Sequence, residues 1–346
     1  MTIAMATPHV LNAAIVGLGR WGKNLVESVQ GKSAGIRFVR GMVRHPEAVA
    51  DFAGRHGLVL TPRFQDLLDD DAVEALVLAT PHGLHVEQIV AAAQAGKPVF
   101  CEKPLALSRI EAERAVEACA RAGVVLGVGH DKRFWPSMME LKRVVDSGCL
   151  GTLLHVEGNL SNENSRTAYT AWRGLPSESP GGCLTATGIH ILDAFVNLLG
   201  PARQVTAHYQ LRQRAPDCVD TTTVYFEFQG GASGVLTSVR PTPVFFRVHV
   251  FGTNGSAEAR GADDMELRLS GKPAERRSFA PVDALRYELE AFADAVAGRA
   301  AYPVTPQQII ETVATLEAAI RAVGTASQPT AGAEHVSLLA RPLDRQ

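Results

Sequence analysis

The chain has 346 residues, 34 Lys plus Arg against 36 Asp plus Glu, and 46% hydrophobic side chains. That length is too great for one comfortable core and implies two domains, while a formal charge of -2 leaves no electrostatic footprint for nucleic acid or an anionic membrane. No apolar run reaches the roughly 18 to 20 residues of a spanning helix, and MTIAMATPHVLN has neither a basic start nor a cleavable apolar core, so a cytoplasmic protein is expected.

The first third alternates short apolar runs with helical periodicity. AAIV (13–16), RFVRGMV (37–43), EALVLAT (74–80), KPVF (97–100) and VVLGVG (124–129) read as strands. WGKNLVESVQ, PEAVADFAGRHG, GLHVEQIVAAAQAG and SRIEAERAVEACARAG between them carry apolar residues at the 3.6-residue period. Strands alternating with helices imply an α/β fold with a doubly wound parallel sheet. After about residue 150 the pattern becomes one of alternating strands, at 153–161, 204–212, 221–229, 232–240 and 245–252, the pair around QGG (229–231) forming a hairpin. A large, mostly antiparallel open sheet follows. Its cover would come from helical patterns at 188–199, 284–297 and 306–323 or from a second subunit, and SGKPAERRS (270–278) reads as an exposed turn. The domain boundary falls between 1–128 and 129–346.

The five Cys, at 101, 119, 149, 183 and 218, are odd in number and lack CxxC spacing. Neither a disulfide framework nor a structural zinc site is expected, and no metal-ligand cluster stands out elsewhere.

AAIVGLGRWGKNLVESV sets Gly17, Gly19 and Gly22 in G-x-G-x-x-G register between a strand and an amphipathic helix. The first Gly permits a tight turn, the second lets backbone approach a pyrophosphate, and the third lets helix and strand pack closely. Arg20 and Trp21, inside the same loop, join the candidate cofactor contacts. Some 20 residues further on, where an acid would accept from the ribose hydroxyls of NAD, the chain reads GMVRHPE. Val43 takes the acid's place and Arg44 follows, which favours NADP with NAD as the alternative.

CEKPLALS (101–108) puts Lys103 directly after the strand ending in KPVF. Ligands of open α/β sheets bind beyond the carboxyl ends of the strands, where partial burial would lower a Lys pKa and its donors could hold a hydroxyl or carbonyl oxygen.

GLGRWG (17–22), LATPHGLHVEQIVAAAQAGKPVFCEKPLALS (78–108), GHDKRF (129–134), AWR (171–173) and GGCLTATGIHILDAFVNLLG (181–200) together resemble the Gfo/Idh/MocA family of oxidoreductases, in order and over nearly the whole chain. The resemblance implies a Rossmann domain that binds NAD(P) and a C-terminal α/β domain for substrate binding and for assembly into a homodimer or homotetramer. It also implies hydride transfer to or from a sugar, cyclitol or related polyol. By the same resemblance Thr80, Pro81 and His85 would lie along the adenosine-to-nicotinamide path, Glu102 and Lys103 would stand beside nicotinamide and substrate, and Trp172 and Arg173 would form a pair that contacts NADP. Family dehydrogenases also carry D-x-x-x-H after the Gly pair, the Asp orienting a His that exchanges the substrate proton. Here Ala186 stands at the Asp position and His190 at that of the His.

Thr185, Thr187 or Asp193 could take over that Asp's role, His130 and Asp131 could line the cleft, and Arg133 is expected to tie the domains together. Lys103 and His190 are the catalytic candidates. The alternatives are a dehydrogenase or reductase acting on a non-sugar diol or carbonyl compound, or a non-catalytic dinucleotide sensor.

Overall fold

The structure, a computed structural model, describes residues 9–162, 175, 177–210, 221–240 and 242–326. Trp172, Arg173 and Cys218 lie outside the described residues. Six strands, β1 (Leu11–Val16), β2 (Ile36–Met42), β3 (Val59–Thr61), β4 (Ala75–Leu78), β5 (Val99–Glu102) and β6 (Leu126–Gly129), run parallel in the order β3-β2-β1-β4-β5-β6. Helices α1 (Arg20–Val29), α2 (Ala50–His56), α3 (Phe64–Leu68), α4 (His85–Gln94) and α5 (Arg109–Ala122) fill the connections. Ile15, Val16, Leu76, Val77, Leu78, Val99 and Phe100 are fully buried, as continuous apolar runs covered on both faces should be. This is the expected doubly wound sheet. The short edge strand β3 escaped the sequence reading, because three residues with Val59 largely exposed carry no periodic signal.

The second sheet has eight strands: β7 (Leu153–Ser161), β8 (Ala202–Gln210), β9 (Thr221–Phe228), β10 (Ser233–Val239), β11 (Phe245–Gly252), β12 (Gly255–Arg260), β13 (Asp264–Leu269) and β14 (Glu275–Ser278). Their order is β14-β13-β12-β11-β7-β10-β9-β8, antiparallel except for β7 beside β10. Five of these strands match the expected ones closely, and the hairpin turns at Gln229–Gly231 with Gly231 at φ 89°. Strands β12 to β14 were not foreseen, and the expected turn at 270–278 must be corrected, since Glu275–Ser278 pairs with β13 as an edge strand. Charge hides these strands: Glu258 and Glu266 sit buried among Arg260, Arg268 and Arg276, so inward and outward positions both carry ions.

Helices α6 (Pro136–Asp146), α7 (Ile189–Leu199) and α9 (Pro306–Ala326) lie on one face of this sheet, α6 against β12 and β13, α7 against β7, and α9 against β8. Helix α8 (Ala284–Val296), expected to help cover the second sheet, packs instead on the first domain, where Leu289, Phe292 and Ala293 join its core. Helix α9 belongs to both: Ile309 and Val313 enter the first core, Leu316 and Ala319 the second.

Gly158, in β7, sets the depth of α7. A Cβ there would overlap Ile191 Cγ2 and come within 2.8 Å of Phe195 Cζ, so only glycine lets the helix lie this close to the sheet. Gly158→Ala is expected to cost about 1–3 kcal/mol through overpacking. Thermal melts of Gly158→Ala, Ile191→Ala and the double variant should show the pair losing less stability than the two single losses added together, because truncating Ile191 makes room for the new methyl.

Candidate functional site

The carboxyl ends of β1, β4, β5 and β6 meet where the strand order reverses, the crevice in which open α/β sheets place their ligands. Gly17 follows β1 at φ 96°, a conformation L side chains avoid, and a Cβ on it would stand 2.7 Å from the Ala79 carbonyl oxygen. A Cβ on Gly22 would overlap the Gly17 carbonyl, whereas one on Gly19 would meet no atom within 4 Å. The loop is therefore tight toward the sheet and open outward. Gly19 caps α1 without a side-chain bond, leaving the first helical N–H groups to face that space, an arrangement that fits a pyrophosphate. Arg20 is exposed and Trp21 half-buried at the start of α1, and Arg44 stands exposed just beyond β2.

Thr80 Oγ1 donates to Gln88 Oε1 at 2.7 Å, and Pro81 begins the turn that leads into α4. His85 is fully buried, its Nε2 3.0 Å from the Thr80 carbonyl and its Nδ1 2.9 Å from that of Pro104. Burial lowers its pKa against the pull of those carbonyls, so the ring is neutral and its one N–H donates to one of them, with the loops after β4 and β5 packed on either side. Glu178, absent from the sequence reading, closes this edge from the second domain: its carboxylate accepts from Gly83 N at 3.0 Å and its carbonyl oxygen lies 2.5 Å from His82 Nδ1.

Glu102 ends β5, and its carboxyl leans across β6, with Oε1 2.9 Å from where a Gly129 Cβ would be. Its Oε2 accepts from Lys103 N at 3.2 Å. Burial pushes its pKa up to about 7, against the opposing influence of Lys103 and of the Trp21 indole N–H; that N–H lies close enough to favour the carboxylate without closing a hydrogen bond. The Lys103–Pro104 peptide bond is cis. Lys103 Nζ donates to the Ala186 carbonyl at 2.8 Å, in the π-helical turn Leu184–Gly188 that runs into α7. The residue at the missing Asp position thus holds the lysine through its backbone.

His190, in the first turn of α7, is 7% exposed. Burial, reinforced by the charges of Lys103 and Lys132 and by His130, holds its pKa well below 6.5, so the ring is neutral at physiological pH. None of the three substitutes expected for the absent Asp serves it. Thr185 donates to the Pro180 carbonyl, Thr187 donates to that of Cys183 at 2.9 Å, and Asp193 is gripped by Arg133, whose Nε and Nη2 reach its oxygens at 2.8 and 2.7 Å. The side chain that faces the ring is Asp131, with Oδ1 3.4 Å from His190 Nδ1. Its buried neighbour His130 lies 3.6 Å from Asp193, and burial drives its pKa down to about 4. Arg133 donates also to Gln308 Oε1 at 2.8 Å and Asn197 Oδ1 at 3.2 Å, so it joins the segment after β6 to α7 and α9. The signal for Asp131 was in GHDKRF: an acid just past the last parallel strand, where the crevice is built.

Two family models match the chain: an oxidoreductase family with an NAD-binding Rossmann fold over residues 11–130, and the GFO/IDH/MocA C-terminal domain over residues 138–258. The chain belongs to the Gfo/Idh/MocA family. Among relatives of this family, inositol 2-dehydrogenase 2 of Saccharopolyspora erythraea is 31% identical over 92% of this chain and 94% of its own length. The scyllo-inositol 2-dehydrogenase (NAD(+)) of Bacillus subtilis strain 168 is 31% identical over 72% of this chain and 73% of its own. Among solved structures, GenD2 from gentamicin A biosynthesis in complex with NAD is 28% identical with a TM-score of 0.79, covering 92% of this chain and 96% of that one. No helix among the described residues is long and apolar enough to cross a membrane, and they contain no cluster of three His, Cys, Asp or Glu able to hold a metal ion.

The raised pKa of Glu102 makes a stability prediction. The folded chain binds this proton more tightly than the unfolded one, whose carboxyl keeps its ordinary value of 4.5, so stability is fully present below 4.5 and is lost as pH rises through about 7. The loss is on the order of 3 kcal/mol. Glu102→Gln removes the titration, so melting temperature in the variant relative to the parent should rise between about pH 5 and about pH 8.

Proposed function

We propose that this chain is an NADP-preferring dehydrogenase that moves a hydride between the nicotinamide and a secondary alcohol or carbonyl of a sugar, cyclitol or related polyol. The observation that carries the reading is the convergence of Lys103 and His190: an ammonium and a neutral imidazole, from different domains, meet beside the Ala186 turn at the mouth of the nucleotide crevice. When bound, the nicotinamide supplies the hydride acceptor or donor. Lys103 binds the reacting oxygen and polarises it. His190 takes the carbinol proton in the oxidative direction and returns it in reduction, a task for which an imidazole kept unprotonated by its surroundings is already in the base form. Burial of Glu102, His130, Asp131 and Asp193 around the pair excludes water and strengthens every charge interaction in the site.

The inositol dehydrogenases among the relatives support a cyclitol or sugar as substrate. Cofactor preference rests on this chain's own residues: no carboxylate follows β2 directly, and the exposed Arg44 is a cation that would suit a 2′-phosphate. The Bacillus subtilis relative carries NAD(+) in its name and GenD2 was solved in complex with NAD, which makes the comparison decisive to measure. Assembly into a dimer or tetramer would use the outward face of the second sheet, where Tyr225 and Phe245 stand exposed. The sensor reading drew its force from Ala186 and weakens with a carboxylate facing His190 from elsewhere.

A panel of myo-inositol, scyllo-inositol, levoglucosan and glucose, followed at the reduced-nicotinamide absorbance with either cofactor, tests the reading; binding of NADP without turnover of any polyol or carbonyl compound would defeat it. Fluorescence titration should show NADPH bound more tightly than NADH, with equal or inverted affinities refuting the preference. Lys103→Ala should leave nucleotide affinity nearly unchanged and lower kcat by about 10²-fold or more, the signature of a contact made in the transition state.

A further inference from the structure

We propose that Asp131, from the carboxyl end of β6, is the positioning residue of His190 and takes the part that Ala186 cannot play one helical turn before the histidine. The proposal rests on His190 as the general base. Three observations carry it. Asp131 Oδ1 and His190 Nδ1 lie 3.4 Å apart, and each is buried without a hydrogen-bond partner. An orphaned buried polar atom costs about 1–3 kcal/mol, so two such atoms, one able to donate and one able only to accept, complete each other once a small turn of the side chains aligns the N–H with the oxygen. The 3.4 Å separation is of the kind that tightens once substrate is bound.

The carboxylate is also held from turning away. Asp131 Oδ2 accepts from Lys132 Nζ at 2.8 Å, and that ammonium is itself seated over the Trp135 ring, 4.1 Å from its centroid. The remaining candidates near the ring are engaged elsewhere. Asp193 is clamped by Arg133, and Thr185 and Thr187 are bound to carbonyls of their own segment.

With Nδ1–H donated to Asp131, the lone pair lies on Nε2, the nitrogen left for the substrate oxygen. During alcohol oxidation the O–H bond breaks and its proton passes to Nε2, while the carbon's hydride leaves with its electron pair. The imidazolium so formed keeps its Nδ1–H toward Asp131, whose carboxylate balances the new charge and takes no proton itself. The parent's kinetics depend on this arrangement through the tautomer, and Asn at position 131 would reverse it. Its oxygen would stay with Lys132 and its NH₂ would point at Nδ1, forcing the Nε2–H form, which has no base to offer.

The test is a spectroscopic one first. In protein labelled with ring-¹⁵N histidine, the His190 signal is assigned by its absence in His190→Gln, and the parent should show the Nδ1–H tautomer at neutral pH. Asp131→Asn should show the Nε2–H form, and Asp131→Ala a mixture of the two. On the best substrate of the polyol panel, Asp131→Asn should lose about 10²–10⁴-fold in kcat with KM and NADPH affinity within a few-fold of the parent. An Nε2–H tautomer in the parent, or an Asn variant that keeps Nδ1–H and turns over within a few-fold, overturns the proposal. Should the Asn variant fail to bind NADPH, Asp131→Ala answers the same question: an unmixed Nδ1–H signal there overturns it. The tautomer is read without turnover, so an enzyme inactive on every compound would sink the dehydrogenase reading and still leave the Asp131 contact decided.

Discussion

A single hydrogen bond, from the Lys103 ammonium to the Ala186 carbonyl, joins the carboxyl end of the parallel sheet to the turn that launches α7. The rest of the site depends on it because it couples the two domains at the point where chemistry would occur. Lys103 is placed by β5, His190 by α7, and α7 by its packing on β7 at the depth Gly158 permits. The π-helical turn over Leu184–Gly188 is what presents that carbonyl, and such turns recur where a helix is adapted to a functional site. Arg133 fixes the same junction from below by binding Asp193 in α7 and Gln308 in α9 together.

Behind this pair lies an unusually dense set of buried ionisable groups. Glu102, Asp131, Asp193 and Glu288 face Lys103, Lys132 and Arg133, with His130 and His190 between them. Isolated, each charge would cost several kcal/mol to bury. The molecule meets that cost in two ways: pairing, as in Asp193 with Arg133, and neutralisation, as in His130, His190 and Glu288. Glu288, from α8, has no hydrogen bond to either oxygen; burial and the neighbouring Glu102 and Asp131 push its pKa well above 4.5, toward the protonated acid. Their concentration beside the crevice at the sheet's carboxyl end is in keeping with the proton-transfer role proposed for Lys103 and His190.

Much of this was legible in the sequence. The glycine loop, the apolar strands of the first sheet and the lysine after β5 each announce themselves locally, through φ requirements, two-sided burial and position at a strand end. Strands β12 to β14 were hidden because their ion pairs interrupt the alternation on both faces. The packing of α8 on the first domain could not be read, since an amphipathic helix carries no label for the sheet it covers. The nearness of Asp131 to His190 escaped for a related reason. Helical spacing suggested Asp193, three residues away along the chain, whereas the true neighbour comes from 59 positions earlier through the meeting of β6 with α7, with the contact at 3.4 Å. Local periodicity finds partners on one element; partners across a domain junction depend on the fold.

The central claim is that a carbinol hydrogen passes directly from substrate to nucleotide in the crevice above Lys103 and His190. Polyols of the cyclitol and sugar classes carrying deuterium on the reacting carbon, incubated with NADP and the enzyme, test this most directly by mass spectrometry of the recovered nucleotide. One deuterium per reduced nicotinamide, accumulating in step with product, is the predicted result. Reduced nucleotide free of deuterium, or product formed without nucleotide reduction, would contradict the account.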